Sequence, residues 1–367
     1  VKVTKLDLDK FSVFEKATFE FSRGINVFIG ANGTGKSHLL KMIYSVLKAN
    51  RDAALKNGAA HQSFQTLLAQ KLSGVYRPDN DQISRLVTRV RGGQRMTAHL
   101  SSDAGEAKFS VNKQGKLSVS KETLPLSEPC IFIPSREALA MYEGFIKAYT
   151  ERELSFDETY FDLCVALSGS QLRGPRLEKI RQLASPLEDI LEGRVAIQGA
   201  RFYLFKTKGK GNFEAHLLAE GLRKIGGLYH LIVNGSIIEK GFLLWDEPEA
   251  NLNPKLVRKI AETLRRLAAF GIQVFVATHD YLLSNELSLA MEYADAQPAD
   301  LKCDIRFFAL TKTAEAGVTV EHGRTLPELQ HNDILAEFAA HYDRESRLMA
   351  QTSPLKKPEH ADHTDRK

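Results

Sequence analysis

The sequence is poor in cysteine. Its 3 cysteines, Cys130, Cys164 and Cys303, lie far apart in 367 residues. Nothing in their spacing resembles a zinc site, and no disulfide framework can be built from them, which excludes a metal- or disulfide-stapled class. Two sit in apolar runs and read as buried thiols, which suits a reducing cytosol, so a cytoplasmic location is expected. No apolar run approaches the roughly 18 residues of a membrane span, and no secretory leader pattern is present. The first residue is Val1 rather than Met, so a trimmed native start is expected. No heptad repeat persists, which argues against a long coiled coil. Internal repeats are also missing. Neither sign of charge dominates: 50 Lys and Arg against 45 Asp and Glu leave +5, spread along the chain. That balance permits contact with nucleic acid without demanding it.

What is present is ordinary globular composition, 43% hydrophobic and 26% charged, at a length that allows one large domain or two average ones. The first 21 residues alternate apolar and polar and predict two antiparallel strands. "INVFI" (Ile25–Ile29) is a continuous apolar run of the kind buried on both faces. A helix is expected from Ser37 towards Asn50, and polar helix from about 51 to 75. Short alternating runs, "RLVTRV", "MTAHL", "AKFSV" and "KLSVS", predict an antiparallel β unit over about 83–120. "CIFIPS" returns to the buried-strand type, and several helices follow over about 137–192. "RVAIQG" and "RFYLFKT" predict a hairpin, "FLLW" and "IQVFVA" two more buried strands, and "IRFFAL" with "GVTVEH" the end of the sheet. A helix is expected over about 327–348. The order predicts one α/β domain over 1–350, assembled from 1–50 and 195–350, with helical and β lobes inserted at about 51–194. Residues 351–367 are polar and aperiodic and are expected to be a disordered tail.

"GANGTGKS" (Gly30–Ser37) fits G-x-x-x-x-G-K-[ST] in full, between a buried strand and a helix, the context the pattern requires. Gly30, Gly33 and Gly35 permit a tight turn. Backbone N–H groups of Asn32, Gly33, Thr34 and Gly35, with the helix N-terminus, would face phosphate. Lys36 would place an ammonium on the β- and γ-phosphates, and Ser37 a hydroxyl on Mg2+. The rival reading is a glycine turn with an incidental lysine.

"FLLWDEPEANLNP" (Phe242–Pro254) ends an apolar strand in paired acids. Asp246 is placed to hold Mg2+, and Glu247 to orient or deprotonate an attacking water. Paired acids at a buried strand end are costly without a cation. Asn253 and Pro254 read as the start of a helix. Its basic residues Lys255, Arg258, Lys259, Arg265 and Arg266 read first as a solvated face and second as a surface for nucleic acid or an acidic partner. His279, with one residue between it and "IQVFVA", is placed to hydrogen-bond a γ-phosphate and report its presence.

Together "GANGTGKS", "LLWDEPEANLNP" and "VFVATHD" resemble the ABC-type ATPases, in the soluble branch containing RecF, SMC and OLD-like, defence-associated AAA family ATPases. The resemblance covers roughly 1–45 and 195–310, with the strand near 131. It implies a P-loop NTPase fold with an ABC-type head: a mixed central sheet, an antiparallel β subdomain and a helical insertion. It also implies that ATP is sandwiched between two heads, the second supplying a helix start bearing Leu-Ser-Gly-Gly-Gln. "LAEGL" (Leu218–Leu222) stands at that position, with Ala219 for the serine, Glu220 for the first glycine and Gly221 kept. Leu252 and Asn253 match the loop that crosses the interface. The family's lid glutamine has no counterpart among Ser135, Arg136 and Glu137. Phe11, Phe14 and Lys16 stand where adenine is often packed, though core packing is the stronger reading of each phenylalanine.

These readings imply a cytoplasmic Mg-dependent ATPase that forms a homodimer or higher homo-oligomer around ATP. Glu247 and His279 would be its catalytic residues; Asn32, Gly33, Thr34, Gly35, Lys36, Ser37, Ala219 and Gly221 would bind nucleotide; Ser37 and Asp246 would hold the metal. Because the carboxyl end runs into a short helix and a tail, no appended nuclease is expected. By analogy with stand-alone heads, regulation of a separate nuclease or toxin in bacterial anti-phage defence is the expected role. A RecF-like, ATP-controlled DNA-binding protein of DNA repair is the alternative, supported by the basic helix and "KTKGKG" (Lys206–Gly211). DNA is thus admitted as a partner, and a membrane is not. Glu220, awkward beside a phosphate, is expected to point sideways, towards a cation across the interface.

Overall fold

The computed structural model describes residues 1–55, 62–88, 95–151, 154–209, 211–238, 240–313 and 317–351. The expected tail at 352–367 lies outside the described residues. At the centre is a six-stranded sheet in the order β14-β13-β3-β12-β11-β7. These strands are β3 (Ile25–Ile29), β7 (Cys130–Ile133), β11 (Phe242–Asp246), β12 (Gln273–Ala277), β13 (Ile305–Thr313) and β14 (Gly317–Gly323). Five run parallel, and β14 alone is antiparallel, against β13. Both faces of β3 are covered, so all of its residues are buried, and the same holds for β12. That explains why these strands read as unbroken apolar runs rather than alternating ones.

Strand alternation sends side chains to two separate cores. Ile25, Val27, Ile29, Leu243, Trp245, Val274 and Val276 enter one core. Phe28, Phe242, Leu244, Phe275 and Ala277 enter the other. The first core is closed by α6 (Glu220–Val233), α7 (Pro254–Ala269) and α8 (Tyr281–Glu292), with α4 (Glu158–Leu167) and α5 (Pro175–Leu191) packed behind. The second holds α1 (Lys36–Leu55), α2 (Phe64–Tyr76) and the antiparallel sheet. At its heart Phe19, Phe21, Phe28, Phe275 and Phe308 meet mostly edge to face, with centroids such as Phe21–Phe275 at 5.2 Å.

The antiparallel sheet has the order β2-β1-β4-β5-β6, from β1 (Val3–Phe11), β2 (Phe14–Glu20), β4 (Arg95–Ser102), β5 (Glu106–Asn112) and β6 (Leu117–Glu122). The amino-terminal hairpin and the expected β unit are thus one sheet, joined by β1 and β4 in register from Leu6–Leu100 to Asp9–Thr97. The first of the four runs departs from expectation. Arg85 and Leu86 of "RLVTRV" close a 3-10 turn, Ile83–Leu86, and Val87 makes a single bridge to Phe11; Arg89 and Val90 lie outside the described residues. Ile83, Leu86 and Val87 are all buried against the second core, so contact with a nearby apolar surface, not ladder pairing, sets their conformation.

A small sheet, β10-β9-β8, carries the expected hairpin of β8 (Gly193–Gln198) and β9 (Arg201–Lys206), with β10 (Asn212–Glu214) added at its edge. α3 (Phe145–Thr150) completes the helical lobe. The last helix, α9 (Asp333–Gln351), begins later than expected, because Leu326–Glu328 forms a 3-10 turn that buries Leu326 and Leu329 first.

Candidate functional site

The sequence-predicted residues converge at the carboxyl ends of β3, β11 and β12. The loop after β3 turns through Gly30, Gly33 and Gly35, whose φ angles of 144°, 81° and 92° lie where a side chain is strained. At Gly35 space is also short: a Cβ would sit 2.6 Å from Val13 Cγ2 and 3.0 Å from the Phe14 ring. Thr34 is buried, and its hydroxyl donates to the Ala31 carbonyl at 2.9 Å. Asn32 and Gly33 are exposed. Lys36 opens α1 and is 7% exposed. Its Nζ donates to the carbonyls of Gly30 at 2.7 Å and Ala31 at 2.9 Å. Burial pulls its pKa below the ordinary value, against the opposing fields of Glu247, Asp246 and Glu249. An ammonium so placed lies folded over its own loop and close to a cluster of acids.

Asp246 ends β11, paired in register with Ala277 at the end of β12. Burial pushes its carboxyl up, while a hydrogen bond from Ser37 pulls the other way. Ser37 and Asp246, distant in sequence, are therefore in contact. Glu247 follows with φ of 50°, a left-handed conformation uncommon outside glycine. Its backbone N–H donates to the Ala277 carbonyl at 2.9 Å, which ties the strained residue to the neighbouring strand. Its Oε1 lies 3.2 Å from His279 Nδ1. The Thr278 N–H donates in turn to the Phe28 carbonyl at 3.0 Å, which sets the histidine loop beside the phosphate-type loop.

Glu249 was not singled out from sequence. It is 7% exposed, accepts from the Thr278 hydroxyl at 2.7 Å through Oε1, and has its Oε1 3.9 Å from His279 Nδ1. Its Oε2 has no hydrogen-bond partner among the described residues. Burial pushes its pKa up, against the hydrogen bond from Thr278.

Ala219 and Gly221 sit elsewhere in the chain's own architecture. α6 begins at Glu220, with Ala219 as a cap residue that makes no side-chain hydrogen bond. Gly221 is buried against the loop after the acidic pair; a Cβ there would sit 2.9 Å from both the Asn251 carbonyl oxygen and Leu252 Cδ2. Among the described residues no hydrogen bond joins Ala219 or Gly221 to the loop Gly30–Ser37. Within its own chain Glu220 accepts from Asn251 Nδ2 at 2.7 Å through Oε1.

Two cations of α6 escaped the sequence reading. Lys224 is 5% exposed and donates to the carbonyls of Glu247 at 2.8 Å and Ala250 at 3.1 Å. Burial lowers its pKa to about 8, against Glu249, Glu220, Glu247 and Asp246. Arg223 pairs with Glu137 at 2.7 Å, and Glu137 Oε2 accepts from the N–H groups of Leu139 and Ala140. Of the three residues in the lid region, Glu137 is thus committed to α6. A lysine at a buried helical position was the one available signal for Lys224.

Other candidates resolve differently. Phe11 and Phe14 are 0% exposed and belong to the core, as the stronger reading held, while Lys16 is exposed. The basic face of α7 is largely neutralised: Arg258 pairs with Glu286, Lys259 with Glu262, and Arg266 with Glu262 and Asp300. Arg265 is buried and donates to Gln297 at 2.9 Å. Asn253 caps α7 by accepting from the Leu256 N–H at 3.0 Å, with Pro254 at the first helical position. Lys206 pairs with Glu192 at 3.0 Å; Lys210 lies outside the described residues. Among the described residues no helix is long and apolar enough to cross a membrane.

The family described as "AAA domain, putative AbiEii toxin, Type IV TA system" matches residues 25–285. The DNA replication and repair protein RecF of Streptococcus suis (strain 05ZYH33) is 32% identical over 114 residues, 31% of this chain and 28% of that protein. RecF of Shewanella sp. (strain W3-18-1) is 29% identical over 147 residues, 39% of this chain and 36% of that one. RecF of Streptococcus equi subsp. zooepidemicus is 23% identical over 246 residues, 63% of this chain and 61% of that one. The chain thus spans less than two thirds of the length of these relatives. Among solved structures, an Smc head bound to the C-terminal winged-helix domain of ScpA superposes with a TM-score of 0.54 at 14% identity, covering 89% of this chain and 99% of that one. The Smc head domain of Pyrococcus furiosus, with an extended coiled coil, gives 0.52 at 12%, covering 94% and 99%. At such identities the likeness is one of fold.

Proposed function

The chain belongs to the ATPase family described as "AAA domain, putative AbiEii toxin, Type IV TA system", with the ABC-type head fold of the RecF and SMC branch, and on that premise we propose that it hydrolyses Mg-ATP at sites shared between two copies. The observation that carries this is the meeting of Glu247 and His279 at 3.2 Å, in the loops that also bring Lys36 and Asp246 together.

The residues fit the substrate. N–H groups of Asn32, Gly33, Thr34 and Gly35 and the start of α1 form an anion cradle, and Lys36, whose present partners are two carbonyls, supplies the ammonium for the β- and γ-phosphates. They also fit a divalent cation. Asp246 is a half-buried carboxylate bonded to Ser37, and one carboxylate plus a hydroxyl and phosphate oxygens is a set that suits Mg2+. Bound there, Mg2+ would offset charge on the phosphate oxygens. Glu247 orients and deprotonates the attacking water. His279, held between Glu247 and Glu249, hydrogen-bonds the γ-phosphate.

The second copy supplies Ala219 and Gly221 at the start of α6, whose N–H groups and dipole end face the γ-phosphate without the serine hydroxyl. Lys224, donating to the Glu247 carbonyl, passes any movement of α6 to the catalytic loop. Through this cycle the protein controls a separate effector, a nuclease or toxin, in a bacterial anti-phage system; the family's printed association with a toxin system supports that reading. The alternative, a RecF-like protein whose grip on DNA follows ATP, has the RecF relatives in its favour and the paired cations of α7 against it.

The composite site is tested by mixing. Lys36→Ala removes the phosphate loop's cation but leaves α6 intact, whereas Ala219→Trp obstructs α6 and leaves the loop. Each chain alone should be inactive, and a mixture should recover turnover because half of the sites in a mixed pair are whole. Absence of recovery, or full turnover by Ala219→Trp alone, would sink the shared site.

A further inference from the structure

Arg265 is a buried cation that no acid answers. It sits in the carboxyl half of α7 and is 8% exposed. The acids whose fields reach it are held by other cations: Glu262 by Lys259 and Arg266, Asp300 by Arg266, and Glu286 by Arg258. Among the described residues Arg265 itself makes no ion pair. Its Nη2 donates to a neutral group, Gln297 Oε1, at 2.9 Å, and its Nε has no hydrogen-bond partner. The Cys303 thiol beside it is neutral as well, because burial pushes the thiol up to about 11. An unpaired charge taken out of water destabilises a fold, so stability is no reason to keep a guanidinium here.

Arg265 lines a cavity of about 480 Å3, to which Ala290, Met291 and Leu301 give an apolar wall. Exposed Lys302 and Arg324 stand around it with exposed Asp295 and Asp304. Arg324 and Asp304 answer each other at 3.8 Å. With Lys302 set against Asp295, the guanidinium is the charge left over. Apolar walls with a few placed polar groups are what small-molecule sites are made of. Cys303 and Asp304 directly precede β13, which puts the cavity at the amino end of that strand. Gly30, Glu247 and His279 follow the carboxyl ends of strands that run parallel to it. The cavity and the nucleotide loops therefore lie at opposite ends of the sheet.

We propose that this cavity binds an amphipathic organic anion, its carboxylate or phosphate head on the Arg265 guanidinium and its apolar body against Ala290, Met291 and Leu301. A guanidinium fork matches either head. The site needs no nucleotide and does not rest on the ATPase reading.

Cys303 is a built-in reporter, since it lines the cavity while Cys130 and Cys164 are buried. Alkylation of Cys303 by iodoacetamide, followed by peptide mass spectrometry, should slow several-fold in hexanoate or hexyl phosphate relative to chloride at equal ionic strength. Protection by one of the two alone assigns the head group. Lys36→Ala should be protected as the wild type is, so loss of nucleotide binding and loss of this site are read separately. Arg265→Met should lose the protection, yet melt no lower than the wild type without anion, because it removes an unpaired buried charge. Lys302→Glu, exposed and harmless to the core, should weaken the protection. Absence of protection by both anions, protection that persists in Arg265→Met, or a wild type that melts well above that variant overturns the proposal. Inorganic phosphate that protects as well as its hexyl ester overturns the assignment of an apolar body.

Discussion

Asn251 donates through Nδ2 to Glu220 Oε1 at 2.7 Å, which joins the start of α6 to the loop that follows Asp246 and Glu247 within one chain. Glu220 keeps its charge but is fixed in place by this bond. Replacing either residue by alanine should cost about 0.5–1.5 kcal/mol of coupling, and the double variant no more than the worse single one. A double-mutant cycle on ATP turnover measures this, and simple additivity would show that the two do not act together.

Glu247→Gln keeps the shape of the side chain and removes its basicity. Turnover should fall about 10²–10⁴-fold, the usual range for a general base, while ATP stays bound and the nucleotide-loaded dimer persists. Stopped-time product assays and size exclusion with ATP check both halves. Undiminished hydrolysis would remove Glu247 from its role.

Lys36→Ala should abolish ATP binding measured by calorimetry, because the loop loses its buried ammonium and one or two charge-assisted bonds worth about 1.5–3 kcal/mol each. Retained tight binding would remove the phosphate-loop assignment.

Lys224→Met preserves the length and apolar stem of the side chain but deletes both bonds to the Glu247 and Ala250 carbonyls. We expect kcat to drop while the ATP dissociation constant holds, since Lys224 touches the catalytic loop and not the phosphate cradle. An equal loss of binding and turnover would mean that the lysine only supports the fold.

Glu249 gives a pH-dependent test. Its folded pKa is raised by burial, so the folded chain holds that proton to higher pH than the unfolded chain does. The contribution is fully present below the unfolded value and is lost as pH rises through the folded one. Glu249→Gln cannot ionise and still accepts from Thr278, so its melting temperature should match or exceed the wild type's at pH 8, the gap closing towards pH 4. Thermal melts across that range would refute the idea if wild type gained on the variant as pH rose.

Much of the site was legible because its chemistry sits at strand ends. The run before Gly30, the run before Asp246 and the run before His279 are each continuous apolar stretches, and parallel pairing places their carboxyl ends side by side. Partnerships between distant residues were not legible. Lys224 looks like one more cation on an amphipathic helix until its face is known to be buried. Glu249 looks like a turn acid until Thr278 is seen to donate to it. Whether "RLVTRV" pairs or merely packs depends on the apolar surface beneath it, which no local pattern announces.

The order of strands in the central sheet bears on how the protein is made. β3 leaves the ribosome early, yet its hydrogen-bonded neighbours are β12 and β13; Asn26 reaches Val274 across 248 residues of sequence. Contacts so remote in the chain form late and slowly. The loop Gly30–Ser37 is therefore synthesised long before the strand β12 that flanks it or His279 beside it. A nascent chain cannot assemble the nucleotide site until translation has passed His279, and until then the apolar residues of β3 must be shielded by other means.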